Sequence, residues 1–501
     1  MRGRRPAAPG RGGNEAEIRL GAGRGGGLCL GPGPAPTDMT ALNAPANFNW
    51  PLAYEAEALL SAHINAFLAA NRAAAVLADR MRDGTGTDFF EWVDHFIVSA
   101  DHEKSFRDCG FVPEAADAPA GHTVLAHPHA MLPRVIVSRD AQPSAGPAVL
   151  AIRPESLADF IAGQGLDGAP AGAPGSRYRV LTVSAENGAV FQAVERSGYR
   201  GFQGAEPRAG LAADVLLARE LFRTRPRDCA QDDEAVRAAF AVQQRCLGLV
   251  GRDLACELFF AEERHFWERR NRAARVQKHR QDGLGLGWAN HDHHTFRCSR
   301  RYFADLVKFL ANLGLEKRER FYAGAEAGWG AQVMEAPAVG IVVFADVDLL
   351  PTEIDGDFAA QPLPETGAAR TVGLWCGLHG DSFLQAGMHH LEARFNFPLL
   401  RAQLAAEGIA TMKPFSDFPF LQQAFTEGER WPVDPRRAEV LLARGIITRE
   451  QCAGFIRDGA IGSHLENLQR KGGFKGFNQK AVSAIIAATD PRKQQEAHAT
   501  A

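Results

Sequence analysis

The pair Asp-His occurs twice, and each time the chain continues in the same way. Asp94-His95 lies in WVDHFIVS (92–99) and Asp292-His293 in HDHHTFRC (291–298). Both stretches alternate as strands do, and each leads through a short helical pattern to a glycine, Gly110 or Gly314. After Gly110 come strands at 122–128 and 133–138. A second unit then repeats the order, with a strand at 149–154, a helix over 155–163 and strands at 177–183 and 189–196. After the second Asp-His come a helix over 300–312 and strands at 331–335 and 339–345. A fourth unit holds a strand at 387–395, a helix over 397–407, Gly408 and strands at 409–415 and 420–426. This is an internal duplication of a βαβββ module, four modules in two halves. It predicts an α+β protein in which each pair of modules builds one curved sheet.

The remaining segments are helical or low in information. Residues 53–82 are rich in Ala and Leu at helical spacing and stop before Asp83-Gly84. Residues 208–281 show apolar positions three to four apart, and Gly283-Leu284-Gly285-Leu286-Gly287 after them reads as a flexible link. Residues 1–38 contain 11 Gly and 5 Pro and no aromatic residue, so they are expected to be disordered. A chain of 501 residues has room for two to four domains. The net charge of −3 argues against a nucleic-acid binder, and no apolar run reaches the roughly 18–20 residues of a membrane span. The eight cysteines are scattered without a C-x-x-C pair, which points to a reducing, cytoplasmic setting. Assembly into a homo-oligomer stays open.

Six of the 16 histidines fall between 291 and 390. Alternate residues of a strand share a face, so His293, Thr295 and Arg297 point one way. His390, Glu392 and Arg394 likewise share a face. Two histidines on the first strands of paired modules can converge inside a half-barrel, and a carboxylate from a last strand would complete a two-His-one-carboxylate set. Such a set suits Fe(II) and leaves three positions open, two for a chelating 2-oxo acid and one for O₂; Mn, Ni or Zn would also fit the ligands. The plainer expectation for a pair such as His293-His294 is one buried, hydrogen-bonded ring beside one exposed ring. Glu427, Glu429, Glu439 and Glu466 are all candidates for the carboxylate. The single Glu-x-x-His at Glu262 and His265 is half of what a di-iron bundle needs, and the charged run from Glu268 to Arg280 reads as a solvated helix face.

The second half resembles the vicinal-oxygen-chelate dioxygenases. It is similar above all to the 4-hydroxyphenylpyruvate dioxygenase and 4-hydroxymandelate synthase family. Asp292-His293 resembles that family's first ligand strand. Ala386-Gly387-Met388-His389-His390 resembles its A-G-V-Q-H segment, Leu421 to Thr426 its L-L-Q-I-F-T strand, and Glu466-Asn467-Leu468-Gln469-Arg470 with Gly473-Phe474 its E-x-x-Q-R…G-F signature. The resemblance implies an Fe(II) held by His293, His390 and Glu466, with Gln423 facing substrate and Phe474 walling the pocket. Glu427 remains the rival to Glu466. His293 and Arg297 also match the H-x-x-x-R strand of the 2-oxoadipate dioxygenase/decarboxylase family, which implies that Arg297 grips a substrate carboxylate through its planar fork. Glu195 to Gly201 resembles the end of the family's metal-free domain, with Gln192 where the ligand Glu would stand and His95 a structural remnant.

The implied organisation is a disordered extension over 1–45, a helical segment over 46–88 and a degenerate vicinal-oxygen-chelate-like domain over 89–205. A helical insertion over 206–286 and a metal-binding catalytic domain over 287–490 follow. The implied activity is decarboxylation and oxygenation of a small 2-oxo acid by O₂, with no catalytic residue beyond the metal ligands and no nucleic-acid or membrane partner. The stretch GAQVMEAPAVGIVVFADV lacks the family's substrate-binding Ser and N-x-P loop, which argues against 4-hydroxyphenylpyruvate itself. An O₂-independent metal-dependent isomerase or lyase, and a non-catalytic binding protein on the same scaffold, are the alternatives.

Overall fold

The first half forms a seven-stranded sheet: β1 Val93–Ser99, β2 Val112–Pro113, β3 His122–Ala126, β4 Arg134–Ser138, β5 Val149–Ile152, β6 Tyr178–Glu186 and β7 Ala189–Arg196. Their order across the sheet is β2-β3-β4-β1-β5-β7-β6. The second half contains β8 His291–Arg297, β9 Glu316–Tyr322, β10 Trp329–Ala336, β11 Ile341–Asp348, β12 His390–Arg394, β13 Ser416–Phe418, β14 Leu421–Phe425, β15 Glu429–Trp431 and β16 Ala460–Arg470. Their order is β9-β10-β11-β8-β12-β16-β14-β13, with β15 also on β16. The two sheets are the same construction. In each, the first strand lies parallel to the last strand of its own module (β1 with β4, β8 with β11). It lies antiparallel to the first strand of the next module (β1 with β5, β8 with β12). The structure is a computed structural model and describes residues 50–141, 146–229, 231–324, 327–478, 485–486 and 489–493. The extension over 1–45 lies outside them.

The helices close the outside through one apolar stripe. In the helix Phe303–Asn312, residues Phe303, Leu306, Val307 and Leu310 are buried at the three-to-four spacing of a single face, and Phe309 beside them widens that face. They join Phe296, Val343 and Leu391 in the core of the second half. Four helices, Leu211–Arg223, Asp232–Val250, Arg252–Glu268 and Arg272–Asp282, intervene between the sheets. Among the described residues no helix is long and apolar enough to cross a membrane, and the described cysteines are free.

Three expectations are corrected. The expected strand at 409–415 is absent, and only the isolated bridge Thr411–Thr426 forms there. The second module of the first half has β5, a helix and two strands; its third strand reduces to the bridge Ala171–Val180. The chain beside that bridge is built of Gly, Ala and Pro, which supply neither packing nor enough donors for a ladder. Residues Gly283 to Gly287 are no flexible link. Leu284 and Leu286 are buried in the core of the first half. Gly285, at φ +69°, lies so close to the backbone of Asp159 and Phe160 that a side chain there has no room.

The duplication extends to buried charge. Arg196 on β7 clamps Asp94 with two hydrogen bonds of 2.8 Å, and Asp94 receives the His95 Nδ1 at 2.7 Å. Arg470 on β16 clamps Asp292 at 3.0 and 2.9 Å, and Asp292 holds the His293 Nδ1 at 2.9 Å. Burial alone would raise the Asp94 carboxyl; the Arg196 charge reverses this and holds it well below the usual range. A depressed pKa contributes stability that is complete above the unfolded value and is lost as the folded group takes up its proton. The Asp94 contribution is therefore expected to be full above about pH 4 and to fall away below it. Urea denaturation of Arg196→Met should show a loss of about 3–5 kcal/mol at neutral pH, because the variant leaves Asp94 buried without its cation.

Candidate metal centre

The register of three neighbouring strands sets the centre. Across the β8–β12 pair Glu392 stands opposite His293, and across the β12–β16 pair it stands opposite Glu466. His293, Glu392 and Glu466 therefore form one row across the sheet. His390 lies two residues earlier on β12 and so on the same face. The His390 Nε2 is 3.5 Å from Glu466 Oε2 and 3.9 Å from Glu392 Oε2, and donor atoms of these three residues all lie within 4.8 Å of one another. The His293 Nε2 is in contact with Glu392 Oε2. All four side chains are buried.

Surrounding groups aim these donors. The Asp292–Arg470 pair occupies the His293 Nδ1 and leaves Nε2 toward the row. Gln423 on β14 donates from Nε2 to Glu466 Oε1 at 2.9 Å, while its own Oε1 is buried without a hydrogen-bond partner. Phe344 covers the His293 ring at 4.3 Å between centroids. The rings of His389 and Phe425 lie 4.8 and 5.1 Å from that of His390.

The electrostatics are unusual for a protein interior. Burial lowers His293 to about 4 and pushes His390 well below its ordinary value, so both imidazoles are neutral. Burial raises Glu466 to about 7, and burial together with the Glu466 charge raises Glu392 far above the carboxylate range. The Arg470 charge draws both carboxyls down, but its guanidinium is engaged with Asp292. Two carboxylates and two neutral imidazoles converge with a cation's worth of positive charge missing. A divalent ion fits this donor set, because nitrogen and oxygen ligands of this hardness suit Fe(II), Mn(II), Ni(II) or Zn(II).

His293, His390, Gln423 and Glu466 line one cavity, with Glu392 among them. Glu427 is exposed, Glu439 is exposed on the helix Pro435–Ala443, and Glu429 accepts the backbone N–H of Arg272. Of the weighed carboxylates, Glu466 alone faces the imidazoles. Arg297 is buried four residues along β8, opposite Asp346 of β11. Its guanidinium forms no hydrogen bond or ion pair within 4 Å to a described residue, and Nε is buried unpartnered. Asp346 lines the cavity, and burial pushes it up to about 7. Phe474 does not line the cavity: its ring packs on Phe420 at 5.0 Å and its carbonyl accepts from Arg470. Phe477 takes the wall position, 5.1 Å from Phe344. Because Arg470 gathers the carbonyls of Phe474 and Gly476, the turn brings the later ring inward. His95 in the first half packs on Phe202 at 5.0 Å.

No known protein-family profile matches the chain, and no curated protein matches it. Among solved structures the chain is similar to a triple mutant of 4-hydroxymandelate synthase from Streptomyces coelicolor, at 14% identity, a TM-score of 0.27, and coverage of 82% of this chain and 99% of that one. It is also similar to methylmalonyl-CoA epimerase from Mycobacterium tuberculosis, at 10% identity and a TM-score of 0.21, over 36% of this chain and 88% of that one. A mutant glyoxalase I from Zea mays is similar at 12% identity and a TM-score of 0.17, over 21% of this chain and 43% of that one.

Metal analysis of the purified protein checks the assembly. His390→Ala and Glu466→Gln should each lose stoichiometric metal. Gln423→Leu, which removes a partner of Glu466, should weaken affinity about 10–100-fold. Asp94→Asn, the counterpart of Asp292 in the other half, should leave metal content unchanged while the protein stays folded.

Proposed function

We propose that the chain is a metal-dependent enzyme of the vicinal-oxygen-chelate kind, an Fe(II) dioxygenase that decarboxylates and oxygenates a small 2-oxo acid. The observation that supports this is the row His293, Glu392 and Glu466 across three neighbouring strands, with the His390 Nε2 3.5 Å from Glu466, all lining one cavity. Bound there, Fe(II) would supply chelation of the oxo acid and activation of O₂. The chain's own residues do the rest. Gln423 fixes the Glu466 carboxylate and keeps its free Oε1 for substrate. Arg297 does not itself line the cavity; it lies behind the wall residue Asp346 with its Nε unpartnered, and its charge is suited to a second acidic group of the substrate. Phe344, Phe425 and Phe477 keep bulk water from the centre.

Glu392 favours a second reading. A fourth protein donor leaves room for a chelating substrate and none for O₂, so the same centre would run an O₂-independent isomerase or lyase reaction. An oxygen electrode and a carbon dioxide assay, run on iron-loaded protein with a panel of 2-oxo acids, separate the two. Coupled O₂ uptake and CO₂ release is the expected result. Turnover without O₂ uptake would establish the second reading, and no turnover of any oxo acid by metal-replete protein would sink the first.

A further inference from the structure

The geometry points to Glu392 as a fourth protein donor to the same cation, giving a centre of two imidazoles and two carboxylates. This rests on the metal-centre reading above and goes beyond its three ligands. Glu392 occupies the middle of the row, opposite His293 on one side and Glu466 on the other. It is 4% exposed, its Oε2 has no hydrogen-bond partner, and that atom is in contact with the His293 Nε2 and 3.9 Å from the His390 Nε2. A buried carboxylate placed between two imidazoles and a second carboxylate, with no ion pair to a described Lys or Arg within 4 Å, has the surroundings of a ligand.

The duplication supplies an internal control. In the first half the register-equivalent of Glu392 is Ala151, which stands opposite His95 across β1–β5 and opposite Gln192 across β5–β7. The equivalent of Glu466 is Gln192 and that of His390 is Val149. Where the donors are missing, this position is Ala; where they are present, it is Glu. A purely structural acid would have no reason to follow the ligands. With four of six octahedral positions filled by protein, a chelating substrate takes the remaining two. The dioxygenase reaction then requires Glu392 to leave the cation when substrate binds, whereas the isomerase or lyase reaction allows it to stay.

Cobalt(II) substitution tests this on the full chain without substrate. Visible spectra and chelator competition are recorded for the wild type, Glu392→Gln and Glu392→Ala. The expected result is a changed ligand-field spectrum and affinity lower by about tenfold or more in both variants, with added acetate restoring the wild-type bands in Glu392→Ala. A wild-type spectrum in Glu392→Gln overturns the proposal and leaves the three-ligand centre standing. Failure of the wild type itself to bind one Co(II) overturns the metal reading and the proposal together. Near-ultraviolet circular dichroism identifies a variant that does not fold, and Glu392→Asp then replaces it, with a shifted spectrum again expected and an unshifted one again overturning the proposal.

Discussion

Two carboxylates buried side by side, Glu392 and Glu466, are the constraint to which the second half of the chain is adapted. Their charges repel across neighbouring strands, and the interior offers them one hydrogen bond from Gln423 and the neutral nitrogens of His293 and His390. A low-dielectric site does not tolerate this arrangement as two bare anions. The surrounding structure does nothing to dilute the charge. It adds a clamp, Arg470 on Asp292, that holds the His293 ring with one nitrogen turned toward the acids. The arrangement makes physical sense as a seat for a divalent cation.

The same clamp without the seat appears in the first half. Arg196, Asp94 and His95 repeat Arg470, Asp292 and His293 at equivalent places, but Val149, Ala151 and Gln192 replace the remaining donors. Phe202 packs on His95 there. The Asp–Arg pair belongs to the scaffold, where it ties the first strand of the half to its last strand, and the converging His and Glu side chains are present in one half only.

The duplication was legible in the sequence because Asp-His, helix and glycine recur in the same order, and the seven strands of the first sheet have counterparts in the same order in the second, which adds β13 and β15. The two histidines were legible from their places on the first strands of paired modules, whereas Gln423 and the choice of Glu466 over Glu427, Glu429 and Glu439 came from the resemblance to the dioxygenase family. Other features were hidden by ordinary physics. The edge strand β9 reads Glu-Lys-Arg-Glu-Arg-Phe-Tyr, a charged run that masks the alternation, as edge strands often do. The helix Thr371–His379 is apolar all round because it is buried, so it shows no amphipathic period. Glu392 was visible as a residue sharing a face with His390, yet only the pairing of β12 with both β8 and β16 shows that it stands between two other donors. Phe477 replaces Phe474 at the cavity because a turn, which has no period, decides which ring turns inward.

Anomalous X-ray scattering from crystals of the cobalt-loaded protein tests the central claim most directly. The account predicts one strong peak per chain within about 2.0–2.2 Å of the His293 Nε2, the His390 Nε2 and a Glu466 oxygen. A well-ordered crystal with no peak at that point, or with its cobalt bound elsewhere while the two imidazoles point apart, would contradict it.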